Sequence, residues 1–320
     1  MNKIAFVVPY FGQFNNYFQL FLNSCGKNKE IADWLIFTDD KRAFDYPENV
    51  KVHYTTFDAI KARIQNKFDF QVLLTRPYKL CDLKPMYGYL FAEELTEYQW
   101  WGHCDTDLIW GRIADFITDE LLSSYYKLFC LGHCSLYRNI GDINLLFLRN
   151  LHGQKRAKAV LQCETNCSFD EEYNDSINCI FEAEHVPMYC SELEANIYTK
   201  SSLFRLTTMN ERHCYDVEKK NHSFFVWDDG ILRRYYFSDG TVQENQYLYI
   251  HMQARPMKVH DEVLSLLQYK IIPNAFEPLE AYPVTESNFF TIRYKYLNFH
   301  YFRLRTRNLL QKIKKKLRTI

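Results

Sequence analysis

Two short apolar runs limit the fold most: Ile4 to Val8 (IAFVV), stopped at Pro9, and Trp34 to Phe37 (WLIF). Neither contains a polar break, so each predicts a strand covered on both faces, as in a parallel sheet. Between them, Asn16 to Cys25 places Tyr17, Phe18, Phe21 and Leu22 on one helical face, which completes a β-α-β unit. Ligands of open parallel sheets bind beyond the carboxyl ends of the strands. The Pro9 to Gly12 loop and the Thr38-Asp39-Asp40 turn are therefore expected to face one site.

Further along, Val50 to Tyr54 predicts a strand, Asp58 to Asn66 a helix, and Lys84 to Glu94 a helix with Pro85 in its first turn. Residues 98–111 (YQWWGHCDTDLIWG) read as an aromatic strand, 127–134 (KLFCLGHC) as another, and 143–151 as a mostly apolar segment. After about residue 185 the pattern becomes short strands rich in Tyr and Phe, among them Ser223 to Trp227, Leu232 to Phe237 and Tyr247 to His251. The expectation is one α/β domain over residues 1–300, with a nucleotide-binding half (1–130) and an acceptor half (131–300). A different segment follows at 301–320. From Arg303 to Ile320 there are eight basic residues and no acidic ones, with Leu309, Leu310, Ile313, Leu317 and Ile320 at helical spacing. This predicts a basic amphipathic helix, with Lys312, Lys314, Lys315 and Lys316 suited to anionic headgroups.

Charge speaks against a nucleic-acid partner, since 39 basic residues balance 39 acidic ones and leave no global field. The first apolar run is too short for a secretion signal, and charged residues interrupt every longer stretch. A cytoplasmic protein, peripheral to the membrane at most, is expected. The ten cysteines lie scattered through apolar segments, which reads as reduced core thiols. Cys130-x3-Cys134 with Cys163-x3-Cys167 is the zinc-like alternative.

Asp105-Thr106-Asp107 carries the chemistry. A hard divalent cation such as Mn2+ or Mg2+ prefers oxygen ligands, and a diphosphate supplies two, so the protein needs to add only a few carboxylates. Aspartates two apart point to opposite faces of a regular strand. Both reach one ion only if the chain turns where it leaves the aromatic strand. His251, ending an alternating strand, is the candidate third ligand, and Arg255 could meet a diphosphate as a fixed cation. The competing readings are solvated turn carboxylates, a core histidine and a surface arginine.

KPMYGYLF at 84–91, WWGHCDTDLIWG at 100–111 and YIHMQARPM at 249–257 resemble segments of a bacterial family of GT-A-type glycosyltransferase-like proteins found with capsule and lipopolysaccharide genes. More distantly the chain is similar to the galactosyltransferase and glycogenin group. The resemblance implies a Rossmann-like nucleotide-diphospho-sugar transferase fold with a mostly parallel central sheet flanked by helices. It also implies a UDP-sugar donor and a surface polysaccharide or lipid-linked saccharide as acceptor. Pro9, Tyr10, Phe11 and Asp39 would then hold the nucleotide, Arg76, Lys79 and Lys84 would approach the donor, and His251 would complete the metal shell. Arg255-Pro256 stands where that group usually has Lys-Pro.

For the acceptor, FDEEYNDS at 169–176 offers Asp170 or Glu171 as the base an inverting transferase needs, or else a helix N-terminus. Trp227 and Asp228 could wall a sugar, or could precede a β-turn at Asp229-Gly230 with the tryptophan in the core. His133, after Gly132, is a further candidate. Two rivals remain: a nucleotide-sugar or carbohydrate-binding protein without turnover, and a nucleotidyltransferase. The second would call for a Gly-rich phosphate loop, but VVPYFGQFNNY holds a single glycine.

Overall fold

The structure is a computed structural model. It describes residues 3–171, 173–219, 222–293 and 299–317, with the side chains of 311–317 left aside. The chain divides into two compact units, residues 1–108 with 113–192, and residues 109–112 with 193–320.

The first unit opens as its apolar pattern requires. β1 (Ile4–Tyr10), α1 (Phe18–Gly26) and β2 (Ala32–Thr38) are followed by β3 (Val50–Tyr54) and α2 (Phe57–Gln65). Every residue of β2 is buried. Thr56 caps α2 by accepting a hydrogen bond from Ala59 N, and Asp58 in the first turn and Arg63 in the last complement the helix dipole. A 3₁₀ helix, Pro77–Met86, then runs into the one-turn α3 (Tyr87–Leu90). Leu80, Leu83 and Met86 recur every third residue, the period of a 3₁₀ helix, and pack with Val7, Leu35, Phe37 and Trp101 in the core. A continuous α-helix over Lys84 to Glu94 is therefore not what forms.

Next come β4 (Trp100–Cys104), β5 (Leu108–Trp110), α4 (Asp119–Ser124), β6 (Lys127–Leu128) and β7 (Cys134–Arg138). The expected strand over 127–134 stops at Leu128, because Phe129 takes the left-handed conformation, φ 68°. Short helices α5 (Gly141–Asn144), α6 (Arg156–Leu161) and α7 (Ile177–Ala183) lead to β8 (Met188–Tyr189). The seven-stranded sheet runs β3-β2-β1-β4-β7-β6-β8. Its β3, β2, β1 and β4 are parallel, while β7 is antiparallel to both β4 and β6.

The second unit is built from hairpins. It contains β9 (Ala195–Asn196), β10 (Thr207–Met209), β11 (Tyr215–Val217), β12 (Ser223–Asp228), β13 (Ile231–Ser238), β14 (Thr241–Gln246) and β15 (Tyr249–His251). After them come β16 (Lys258–Val259), β17 (Gln268–Ile272), β18 (Ala275–Pro278), α8 (Phe289–Arg293) and α9 (His300–Leu317). A six-stranded sheet has the order β14-β13-β12-β17-β18-β16, a three-stranded one β5-β15-β9, and β10 pairs with β11. The β12–β13 hairpin turns on Asp229 and Gly230, with φ 46° and 94°, the paired positive values of a type I′ turn.

This architecture corrects the expected GT-A-type fold with one mostly parallel sheet flanked by helices. Among the described residues the protein is mixed α/β with four sheets, and antiparallel pairs run through three of them. A strand covered on both faces reads as apolar whichever way it runs, so the parallel start of the chain did not define the whole. Of the predicted tail helix, α9 is present. Lys312, Lys314, Lys315, Lys316 and the apolar side chains from Ile313 onward lie outside the described residues. Among the described residues no helix is long and apolar enough to cross a membrane.

Candidate metal centre

The carboxyl ends of β1, β2 and β4 set the site. β1 ends at Tyr10 opposite Thr38 of β2, with Pro9 opposite Phe37. Beyond them, exposed Asp39 accepts a hydrogen bond from Gly12 N (2.8 Å), and buried Asp40 accepts one from Phe14 N (2.9 Å). Arg42 Nε also donates to both Asp40 oxygens (2.9 and 3.0 Å), and this contact holds the carboxyl down at about 2. Asp40 and Arg42 thus latch the loop after β1, a role that nothing in the charge pattern of Thr38-Asp39-Asp40 distinguished from that of Asp39. Tyr10 stacks on Phe14 with ring centres 4.6 Å apart, and Phe11 packs against Phe57. Burial raises the Tyr10 hydroxyl pKa first, and the negative charges of Asp107 and Asp40 add to it.

β4 stops at Cys104, and Thr106-Asp107 form a turn before β5. That departure is the one two aspartates need to face one ion. Asn15 Nδ2 holds the turn by donating to Thr106 O (3.1 Å), and Asp105 N donates to His133 O (2.9 Å).

Lys84 lies beside the turn, buried. Its Nζ donates to Asp105 Oδ1 (2.7 Å) and Gly132 O (2.6 Å), and lies 3.6 Å from Asp170 Oδ2. Burial works against the ammonium, but Asp105, Cys81 and Asp170 outweigh it and hold it charged. Asp170 is pushed up to about 7, mainly by burial, with Lys84 pulling back and Glu171 pushing further. Glu171, half-buried, accepts from Gly132 N (3.2 Å). A Cβ on Gly132 would stand 2.5 Å from Asp170 Oδ2 and 2.9 Å from Glu171 Oε2, so glycine is what admits both carboxylates.

β5, which begins directly after Asp107, lies in one sheet with β15, which ends in His251. Asp105, Asp107 and His251 each offer a ligand atom, and all three atoms lie within 4.8 Å of one another. Among the described residues this is the one such group of His, Cys, Asp or Glu. His251 Nδ1 lies 3.1 Å from Asn196 Oδ1, and Gln253 Nε2 donates to the same oxygen (2.7 Å). With Nδ1–H directed at Asn196, Nε2 keeps the lone pair a cation requires. Two carboxylates and an imidazole fit Mn2+.

The other sequence candidates have structural partners. Arg76 is exposed and donates to Asn166 Oδ1 (2.7 Å). Lys79 is buried against Asp82 Oδ2 (2.7 Å) and Thr165 O (2.6 Å). Buried Arg255 donates to the carbonyls of Pro273, Ser201 and Ser202. Trp227 is 1% exposed, stacks on Tyr269 and donates to Trp110 O, while Asp228 pairs with Arg233 and Gln268. His133 is buried and serves the turn through its carbonyl. The cysteines are all free thiols. Sequence reading missed Gly132 as the hub of the carboxylates; the glycine inside an otherwise apolar run was its only signal.

Residues 6–280 match a family described only as of unknown function (DUF6625). The chain belongs to this family. Its match takes in both aspartates, the Lys84 to Glu171 cluster and His251. A search among curated proteins returned no match.

Proposed function

We propose that this family member is a metal-dependent glycosyltransferase that uses a nucleotide-diphosphate sugar. The approach of Asp105, Asp107 and His251 to within 4.8 Å carries the reading. Those three side chains would hold Mn2+ or Mg2+, which when bound offsets negative charge on a departing diphosphate. The loop after β1, latched by Asp40 and Arg42, presents Tyr10 and Phe11 as aromatic faces for the nucleoside. Lys84 holds the Asp105 side chain in place through its 2.7 Å contact. Of the two acids at Gly132, Glu171 is the one a substrate can reach, and it would take the acceptor hydroxyl proton. Buried Asp170 completes the field around Lys84.

UDP as the nucleotide, and a surface polysaccharide or lipid-linked acceptor, rest on the resemblance of the 84–91, 100–111 and 249–257 segments. Exposed Phe302, Leu309 and Leu310 beside exposed Arg303, Arg305 and Arg307 on α9 suit contact with an anionic membrane carrying such an acceptor. The decisive experiment is calorimetric titration of UDP with and without Mn2+, followed by an assay for UDP released from UDP-hexoses and UDP-N-acetylhexosamines. Mn2+-dependent binding lost in Asp107→Asn, together with UDP release, is expected. Binding without release leaves a binding protein, and Mn2+-independent binding overturns the metal centre.

A further inference from the structure

We propose that Cys190 and Cys130 form an oxidation site for hydroperoxides, in which Cys190 is attacked first and Cys130 resolves it to a disulfide. This lies outside the transfer reaction and uses side chains that reaction leaves idle. β6 and β8 pair in parallel, Lys127 opposite Met188 and Leu128 opposite Tyr189, and Phe129 N continues the ladder to Tyr189 O (2.7 Å). Cys190 and Cys130 each follow directly on this pairing, so the two residues leave neighbouring strand ends together. Tyr173 Oη is 3.4 Å from Cys190 Sγ. Cys190 is exposed, whereas Cys130 is 5% exposed, so one sulfur meets a reagent from solvent and the other waits behind it.

The surrounding charge favours the order. The neighbouring Cys130 is the main cause that pulls the Cys190 thiol down to about 6. Burial opposes this, and Tyr173 and the Lys127 ammonium assist it. Cys190 in turn, with burial, pushes Cys130 up. Cys190 is thus the thiolate and Cys130 the thiol.

In the first step the Cys190 sulfur attacks one peroxide oxygen and the O–O bond breaks. The departing hydroxide takes up a proton, leaving Cys190 as a sulfenic acid. In the second step the Cys130 sulfur attacks that of Cys190, the S–O bond breaks, and hydroxide leaves as water with the Cys130 proton. The two sulfurs lose two electrons to the hydroperoxide; two thiols and one hydrogen peroxide yield a disulfide and two waters.

Cys214, the other exposed cysteine, is an internal standard. The lowered pKa raises the thiolate share of Cys190, and after the weaker nucleophilicity of such a thiolate is counted Cys190 should react about tenfold faster than Cys214 with iodoacetamide at pH 6. One equivalent of hydrogen peroxide, followed by N-ethylmaleimide and non-reducing peptide mass mapping, should reveal a peptide pair joined through Cys130 and Cys190. Cys130→Ser should instead leave a sulfenic acid on Cys190 that dimedone traps. If Cys190 is alkylated no faster than Cys214, or the wild-type chain gives no such pair, the proposal fails, and neither reading needs a variant to fold. Cys130 lies two residues before Gly132, whose carbonyl holds Lys84, so the cross-link should also weaken Mn2+-dependent UDP binding. That coupling rests on the transferase reading; undiminished binding by mapped, cross-linked protein would remove the coupling and leave the oxidation site.

Discussion

Replacing Lys84 by methionine keeps most of the side-chain stem and removes the ammonium from three oxygens: Gly132 O, Asp105 Oδ1 and Asp170 Oδ2. The Asp105 side chain is 36% exposed, so water replaces the lost partner and the pair accounts for at most about 1 kcal/mol. A buried carbonyl left without its donor at Gly132 costs about 1–3 kcal/mol. Asp170 behaves differently because it titrates. Its folded carboxyl stands at about 7, above the ordinary 3.8, chiefly through burial. A carboxyl raised on folding burdens stability in full above the folded value, and the burden fades as pH falls towards the unfolded one. Without Lys84 the carboxyl rises further. Below about pH 7 both proteins then hold Asp170 neutral and do not differ on its account. Above pH 7 only the variant stays protonated, and it falls behind by about 1.4 kcal/mol per pH unit. The expected loss is about 1–4 kcal/mol at pH 6 and about 1.4 kcal/mol more at pH 8. Urea unfolding of both proteins, with a chelator to keep cations away, measures it. A loss that is equal at the two pH values, or smaller at pH 8, refutes the placement of Lys84 against a buried titrating acid.

Gly132→Ala should destabilise by about 1–3 kcal/mol, because its methyl would overlap two carboxylates, while Gly141→Ala, with nothing within 4 Å, should be neutral or slightly stabilising. Equal melting temperatures for the two variants would count against the crowding. Arg255→Met leaves three carbonyls without donors and should lower stability by about 2–5 kcal/mol with UDP affinity unchanged; unchanged stability with lost affinity would return Arg255 to the diphosphate.

The sequence announced β1, α1, β2, β3 and α2 through the period of their apolar residues, and the turn at Asp105-Thr106-Asp107 through the chemistry of its ligands. Three things escaped it. Strand direction was one, since β7 is buried over Cys134 to Tyr137, much as β4 is, yet runs against it. A second was the 3₁₀ helix, whose three-residue spacing at Leu80, Leu83 and Met86 mimics part of an α-helical face. The third was the inward turning of Lys79 and Lys84, because charge alone does not say whether a lysine meets substrate or a neighbouring aspartate. Arg255 shows the same limit: a guanidinium serves three backbone carbonyls as readily as a phosphate.

β5 and β15 share a sheet although about 140 residues of chain separate them. As synthesis proceeds, β5 emerges long before the strand that will flank it, and closing so large a loop is slow in folding terms. The imidazole joins the aspartates only after ribosomes have added His251. In the proposed centre, cation capture would therefore come late: a chain halted between Asp107 and His251 carries the acids but not their third companion.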